Sequence, residues 1–313
     1  MYSFFSLFIS RNCIIYTLQI MTLFSSQNSK PKADKLKNLI DQKGIVVMPG
    51  CYDALSAKLI EREELNVGFM SGFAVSSTRL GMPDAGLISF SEMAEQVRNI
   101  CNVTSIPIIF DGDTGYGNVV NVYRTVRGFA DAGAAAIMIE DQKWPKKCGH
   151  TKGKDVVEID EANSRIKAAV DASKMNDKDI LVMARTDAIA TRGLDDAIKR
   201  MQKFSELGAD ILFVEAIKSK EDMKRVIKEV PGHHMINLIE DGETPLLEMN
   251  ELEDIGFKIA VFPLTLMSAS VKTMQESLKN MKNKTYNTNV SKFSDLRDIV
   301  GFNEYYEIED KYK

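Results

Sequence analysis

Short β-rich apolar runs recur along this chain, each followed by a stretch of helical periodicity, and that alternation constrains the fold more than any other feature. The runs are Ile45–Pro49, Val67–Ser71, Pro107–Asp111, Ala135–Asp141, Ile180–Thr186, Ile211–Glu215, His233–Glu240 and Phe257–Pro263. Between them lie amphipathic segments such as Ala54–Glu64, Phe90–Cys101, Val119–Ala132, Glu161–Lys174 and Leu194–Leu207. Strands that are apolar throughout are buried on both faces, the condition of a parallel sheet crossed by helices. Gly133 and Gly208, in DAGAAA and ELGAD, stand where a helix should stop before the next strand. Eight such units in series predict an α/β fold, a (β/α)8 TIM-type barrel rather than a doubly wound sheet. The expected organisation is an N-terminal extension over 1–30, the barrel over 31–282 and a C-terminal tail over 283–313. That tail begins helical, turns polar over Asn283–Lys292 and ends in the mixed segment FNEYYEIEDKYK.

Polar residues gather at one end of these runs. Ser71, Asp111, Asp113, Glu140, Arg185, Asp187, Glu215, Asn237 and Glu240 all fall at or just past C-terminal strand ends, the face on which barrel enzymes build their sites. Asp111 and Asp113 are two apart, so on an extended strand end both side chains share a face. Gly112 and Gly115 permit a bend and a close backbone approach there. Together with Glu140 the two aspartates make a hard oxygen site suited to Mg²⁺, with Mn²⁺ as a substitute. Zinc would want His or Cys ligands, and the chain has only three histidines. The competing reading is that Asp111 and Asp113 cap the following helix or form an Asx turn.

The segment Gln142–Asp155 is long, punctuated by glycine and follows a strand end, as lid loops do. Within it, Lys146-Lys147-Cys148-Gly149-His150 sets a thiol among cations, which favour the thiolate. The alternative is a solvated basic loop with an incidental cysteine. Arg185 ends a strongly apolar strand, where its fork would clamp a carboxylate or pair with Asp187. Ser71-Gly72 offers a hydroxyl and an amide to a carboxylate or a developing oxyanion. His233 and His234, at a strand start, read as structural. Cys51 and Tyr52 reach only the edge of the site.

Composition narrows the rest. Hydrophobic content of 44%, charged content of 27% and a net charge of −4 suit a globular protein without the basic face of a nucleic-acid binder. The four cysteines lack metal-ligand or disulfide spacing, which favours reduced thiols. Residues 1–29 hold a single charged side chain before Lys30, Arg11, and the apolar stretch Phe4–Leu23 is too interrupted for a membrane span. The absence of acids and the serines suit an organellar transit peptide; the other reading is an extension upstream of a start at Met21. Cytoplasm or mitochondrion is the expected location, with no nucleic-acid or membrane partner.

These residues together resemble the isocitrate lyase/phosphoenolpyruvate mutase superfamily. The matches are Ser71-Gly72, Leu80-Gly81 with Pro83-Asp84, Asp111-Gly112-Asp113-Thr114-Gly115, Glu140-Asp141, Lys147-Cys148-Gly149-His150, Ala184-Arg185-Thr186-Asp187-Ala188, Glu215-Ala216 and Asn237. PGCYDALSA, EDQKWPKKCGHTKGK and GFKIAVFPLT resemble the plant carboxyvinyl-carboxyphosphonate phosphorylmutase-like branch in particular. The resemblance implies a Mg²⁺-dependent barrel with a mobile lid, a C-terminal helical segment exchanged between subunits and a homotetramer built as a dimer of dimers. It assigns Cys148, Lys147, His150 and Arg185 to catalysis. Ser71, Gly72, Phe73, Gly149, Arg185, Glu215 and Asn237 would contact a small carboxylate substrate, and Asp111, Asp113, Glu140 and Asp84 would hold the metal directly or through water. A lid cysteine marks the members that cleave C–C bonds, so the implied reaction is retro-aldol cleavage of a 2-alkylmalate or methylisocitrate type of 2-hydroxy acid, with Cys148 as proton donor. Oxaloacetate hydrolysis and phosphonomutase chemistry are the alternatives. Two departures stand out: Phe69 where the methylisocitrate lyases carry tyrosine, and Asn237-Leu238-Ile239-Glu240 where they read Asn-x-Thr-Glu. The first leaves the base for the substrate hydroxyl unassigned, and the second implies a smaller or less carboxylated substrate.

Overall fold

The computed structural model describes residues 29–149, 153–175 and 179–313. The expected N-terminal extension lies outside the described residues except for its last two, and so does His150. Eight parallel strands pair in sequence order and close into a barrel: β1 (Val46–Cys51), β2 (Gly68–Met70), β3 (Ile108–Asp111), β4 (Ala136–Glu140), β5 (Leu181–Thr186), β6 (Ile211–Val214), β7 (His233–Asn237) and β8 (Ile259–Phe262). Val46 opposite Ile259 through Pro49 opposite Phe262 makes the closing seam. Each apolar run coincides with one strand; β1 continues past its run to Cys51, and the other strands end within theirs.

Around the barrel run α1 (Ser29–Asp41), α2 (Ala54–Arg62), α3 (Gly72–Leu80), α4 (Phe90–Cys101), α5 (Val119–Asp131), α6 (Ile159–Ser173), α7 (Ile189–Arg192), α8 (Leu194–Glu206), α9 (Lys220–Glu229), α10 (Met249–Ile255) and α11 (Thr265–Lys282). Their starts are set by local chemistry. Ser89 and Glu92 form a reciprocal capping box at α4, and Asn118 caps α5. Asn118 in that role removes helix capping as an explanation for Asp111 and Asp113.

The core has two layers. Inside the barrel, Met48, Phe69, Ile109, Met138, Met183, Phe213, Met235 and Ile259 fill the axis, and Leu36 and Ile40 of α1 join them at the strand starts. Between strands and helices lies the larger cluster, with Phe110, Phe129, Phe204 and Met201 among its bulky members. α1 is fastened by Lys32, whose buried ammonium donates to the carbonyls of Cys101 and Thr104, each at 3.0 Å. The tail is more helical than its mixed sequence suggested, with α12 (Phe293–Val300) and α13 (Phe302–Lys311). Arg62 of α2 pairs with Asp298 of α12 at 2.7 Å on the surface. Among the described residues no helix is long and apolar enough to cross a membrane.

Candidate active site

The C-terminal strand ends surround one cavity, lined among others by Ser71, Phe73, Asp84, Asp111, Lys146, Cys148, Gly149, Arg185, Glu215 and Asn237. Its floor and walls are apolar: Phe69, Met138, Phe213, Met235, Ile239, Val261 and Leu264. A few convergent polar groups in a hydrophobic pocket is the usual makeup of a small-molecule site.

Asp111 ends β3 and reaches across to β2. Its Oδ2 accepts from the Gly72 amide at 3.2 Å, and a Cβ on Gly72 would stand 2.6 Å from that oxygen. A side chain at the start of α3 would therefore displace the Asp111 carboxylate. The same approach leaves Ser71 as the cap of α3, its Oγ accepting from Ala74 at 3.3 Å. Asp113 does not continue the strand: its φ of 49° is left-handed, and its amide donates to Asp111 Oδ1 at 3.0 Å. The two aspartates thus meet through an Asx-type turn rather than through strand alternation. Gly112 makes that turn fit, because a Cβ there would lie 2.8 Å from Ile137 and from the Met138 carbonyl.

Between the carboxylates sits an ammonium. Lys146 is buried, pairs with Asp113 Oδ1 at 2.7 Å and also with Asp84. Burial alone would lower its pKa, but Asp113, Asp84, Asp111 and Glu140 together raise it well above normal. Burial and the Asp113 charge push Asp111 up to about 6. Glu140 rises well above the usual carboxylate range, again through burial, with Arg185 opposing. The family resemblance assigns Lys147 to catalysis. Lys147 is exposed at the cavity mouth, and Lys146 is the one driven inward.

The donor set at this cluster is all oxygen, as the implied Mg²⁺ prefers. Among the described residues no three carboxylates already converge as a metal nest. Mg²⁺ needs only one or two carboxylates, with water completing the shell. Asp113 Oδ2 and Glu140 Oε1 are buried and accept no hydrogen bond, which costs stability unless a cation or water meets them. Oxygen-only chemistry and unsatisfied buried oxygens fit a hard divalent cation.

Arg185 carries more partners than a simple substrate clamp. Its Nε and Nη2 grip Asp187 at 2.8 and 3.0 Å, Nη2 meets Glu215 Oε2 at 3.1 Å, and Nε lies 3.4 Å from Glu140. Asn237 Nδ2 reaches both Glu215 oxygens at 3.3 Å. Arg185 lines the cavity, and its fork is paired with Asp187. Behind this layer, Asp141 accepts from Thr186 at 2.6 Å, from the Asp187 amide at 3.0 Å and from Arg200 at 3.1 Å. Sequence patterning missed Asp141 and Arg200 as supports, since a buried arginine on α8 looks like any helical surface residue.

The loop after β4 carries Cys148 over the cavity. Gln142 clamps the Lys147 backbone, donating to its carbonyl at 2.9 Å and accepting from its amide at 3.0 Å. Gly149 lies directly on the arginine: its Cβ would be 2.5 Å from Arg185 Nη2 and from Glu215 Oε2. Outside the site, Tyr52 finds Ser270 of α11 at 3.1 Å, and burial drives the Cys51 thiol pKa far up. Glu240, also at a strand end, accepts from Thr265 at 2.6 Å.

The family model described as phosphoenolpyruvate phosphomutase matches residues 36–282. The chain belongs to the isocitrate lyase/PEP mutase superfamily. Within that superfamily it is 40% identical to the 2,3-dimethylmalate lyase of Eubacterium barkeri over 284 residues, covering 90% of this chain and 98% of the relative. It is 41% identical to the chloroplastic carboxyvinyl-carboxyphosphonate phosphorylmutase of Arabidopsis thaliana over 286 residues, covering 89% and 84%. Among solved structures, oxaloacetate acetylhydrolase bound to 3,3-difluorooxalacetate aligns with a TM-score of 0.87 at 30% identity, covering 91% of this chain and 98% of that one. A phosphonopyruvate hydrolase complex with oxalate and Mg²⁺ aligns at 0.79 and 28% identity, covering 90% and 99%. Superfamily membership thus covers both C–C and P–C chemistry.

Proposed function

We propose that this superfamily member is a Mg²⁺-dependent C–C lyase acting on a 2-hydroxy dicarboxylate of the 2-alkylmalate type. The observation that carries the reading is Cys148, held at the rim of a cavity whose far side is carboxylate and whose walls are apolar. A thiol over a reacting carbon is a proton donor, and the apolar walls suit alkyl branches better than a third carboxylate. Ile239, which stands where a hydroxyl would favour a further carboxylate, lines that wall. The similarity to a 2,3-dimethylmalate lyase supports the same choice.

Asp111, Asp113, Glu140 and Asp84 would hold the metal, in part through water. When bound, Mg²⁺ would supply positive charge against the substrate's 2-oxygen and its neighbouring carboxylate. The protein's own residues do the rest. Ser71 Oγ, the Gly72 backbone and Arg185 fix carboxylate oxygens, while Phe73, Phe213 and Leu264 exclude water. In the cleavage the 2-hydroxyl gives its proton to solvent water, since Phe69 offers no base at that position, and the C2–C3 bond breaks. Its electron pair passes into the departing carboxylate half, which leaves a 2-oxo acid behind. Cys148 then gives its thiol proton to that carbon. Lys147 and His150 are proposed to restore the thiol's proton.

The exposed apolar side chains of the C-terminal region, Val271, Met274, Leu278 and Phe293 among them, support a homo-oligomer, proposed as a tetramer with this segment exchanged between subunits. The catalytic reading is tested by incubating the protein with 2,3-dimethylmalate, 2-methylisocitrate and oxaloacetate, in Mg²⁺ and in EDTA. Mg²⁺-dependent release of a 2-oxo acid from a malate is the expected result. Hydrolysis of oxaloacetate alone would favour the hydrolase alternative, and turnover of phosphonopyruvate alone the mutase.

A further inference from the structure

A second lysine of the loop after β4 is buried without an evident catalytic task. Lys154 follows Gly153 and turns back under the loop, where its side chain is only 5% exposed. Its ammonium donates to the Gly149 carbonyl and lies 3.3 Å from Asp187 Oδ1. Asp187 is itself fully buried and fixed from two other directions. Arg185 grips both of its oxygens, and its amide is held by Asp141 at 3.0 Å.

Burying an ammonium is costly unless geometry and charge compensate, and Lys154 meets that cost with two fixed partners. Those partners identify its role. One is the rigid Arg185–Asp187 pair at the end of β5. The other is the backbone of the residue next to Cys148, at the point where a Cβ on Gly149 would meet Arg185 and Glu215. We infer that Lys154 is the positioning residue that sets the height of the Cys148 thiol over the cavity, by pinning the Gly149 carbonyl to Asp187. Lys146 anchors the same loop on its other side, to Asp84 and Asp113. Cys148 is therefore held between two ammonium anchors, one on the carboxylate cluster and one on the Arg185 pair. The catalytic consequence rests on the lyase reading; the positioning itself does not.

The test reads the thiol directly. Iodoacetamide modification of Cys148 is followed by peptide mass spectrometry in the full-length protein, with rates compared at the high-pH plateau where the thiol is fully ionised. Loss of a charge-assisted hydrogen bond that holds the loop predicts a plateau rate about tenfold higher in Lys154→Met. Lys154→Arg, which keeps the charge and the donors, should stay near the unsubstituted rate. In turnover, Lys154→Met should lower kcat more than it raises KM. A Lys154→Met protein with an unchanged melting temperature and a plateau rate within about twofold of normal would overturn the assignment. If that variant fails to fold, Lys154→Gln is read against the same limits. Absence of turnover in the unsubstituted protein would sink the lyase reading and leave the modification rates to decide the role of Lys154.

Discussion

Replacing Lys146 by methionine keeps the length of the side chain and removes its charge from between Asp113 and Asp84. All three side chains are almost wholly buried, at 3%, 1% and 5% exposure. Breaking a buried pair by deleting one partner costs about 3–5 kcal/mol, because the remaining charge stays desolvated. At roughly 2–2.5 °C per kcal/mol for a domain of this size, the melting temperature should fall by about 6–12 °C. Scanning calorimetry in EDTA at pH 8 measures this without interference from a bound cation. Added Mg²⁺ should then recover more stability in Lys146→Met than in the unsubstituted protein, since a divalent cation meets oxygens that the lysine no longer neutralises. An unchanged midpoint in EDTA would refute the electrostatic account of the cluster. A loss that Mg²⁺ repairs no better than in the unsubstituted protein would refute its assignment as the cation site.

Gly149→Ala would drive a Cβ to 2.5 Å from Arg185 Nη2 and Glu215 Oε2; displacement of the loop by about 1 Å should lower kcat roughly 100-fold while the circular dichroism spectrum is kept. His234 is buried with its pKa lowered by that burial, and its Nε2 lies 2.9 Å from the Val230 carbonyl. Because the unfolded chain binds the proton more tightly, the neutral form contributes stability above about pH 6.5 that is lost as pH falls through the lower folded value. Urea titrations at pH 7 and pH 5 should show that loss in the unsubstituted protein and a shallower one in His234→Gln.

The barrel was legible because its strands are buried on both faces, and continuous apolar runs such as Ile108–Asp111 and Leu181–Thr186 leave no other packing. α3 was harder to read, since it begins directly at Ser71-Gly72 and carries small and polar residues in GFAVSSTRL. The candidate site was legible at the level of residue type and strand end. Its internal geometry was not: Asp113 reaches the cluster by a left-handed turn, and Lys146, not Lys147, fills the space between the acids. Neighbouring lysines in a loop are indistinguishable until the path of the backbone is known. The same holds for Arg200 and Lys154, whose burial depends on partners far away in sequence.

The central claim is that Cys148 protonates the carbon released when a C–C bond breaks. The most direct measurement is single-turnover cleavage of 2,3-dimethylmalate in Mg²⁺ by the unsubstituted protein and by Cys148→Ser. A serine hydroxyl is a far weaker acid, so the account predicts a fall of about 100- to 10,000-fold in the cleavage rate, the range for loss of a positioned general acid, with substrate affinity little changed. Cleavage by Cys148→Ser at the full rate would contradict it.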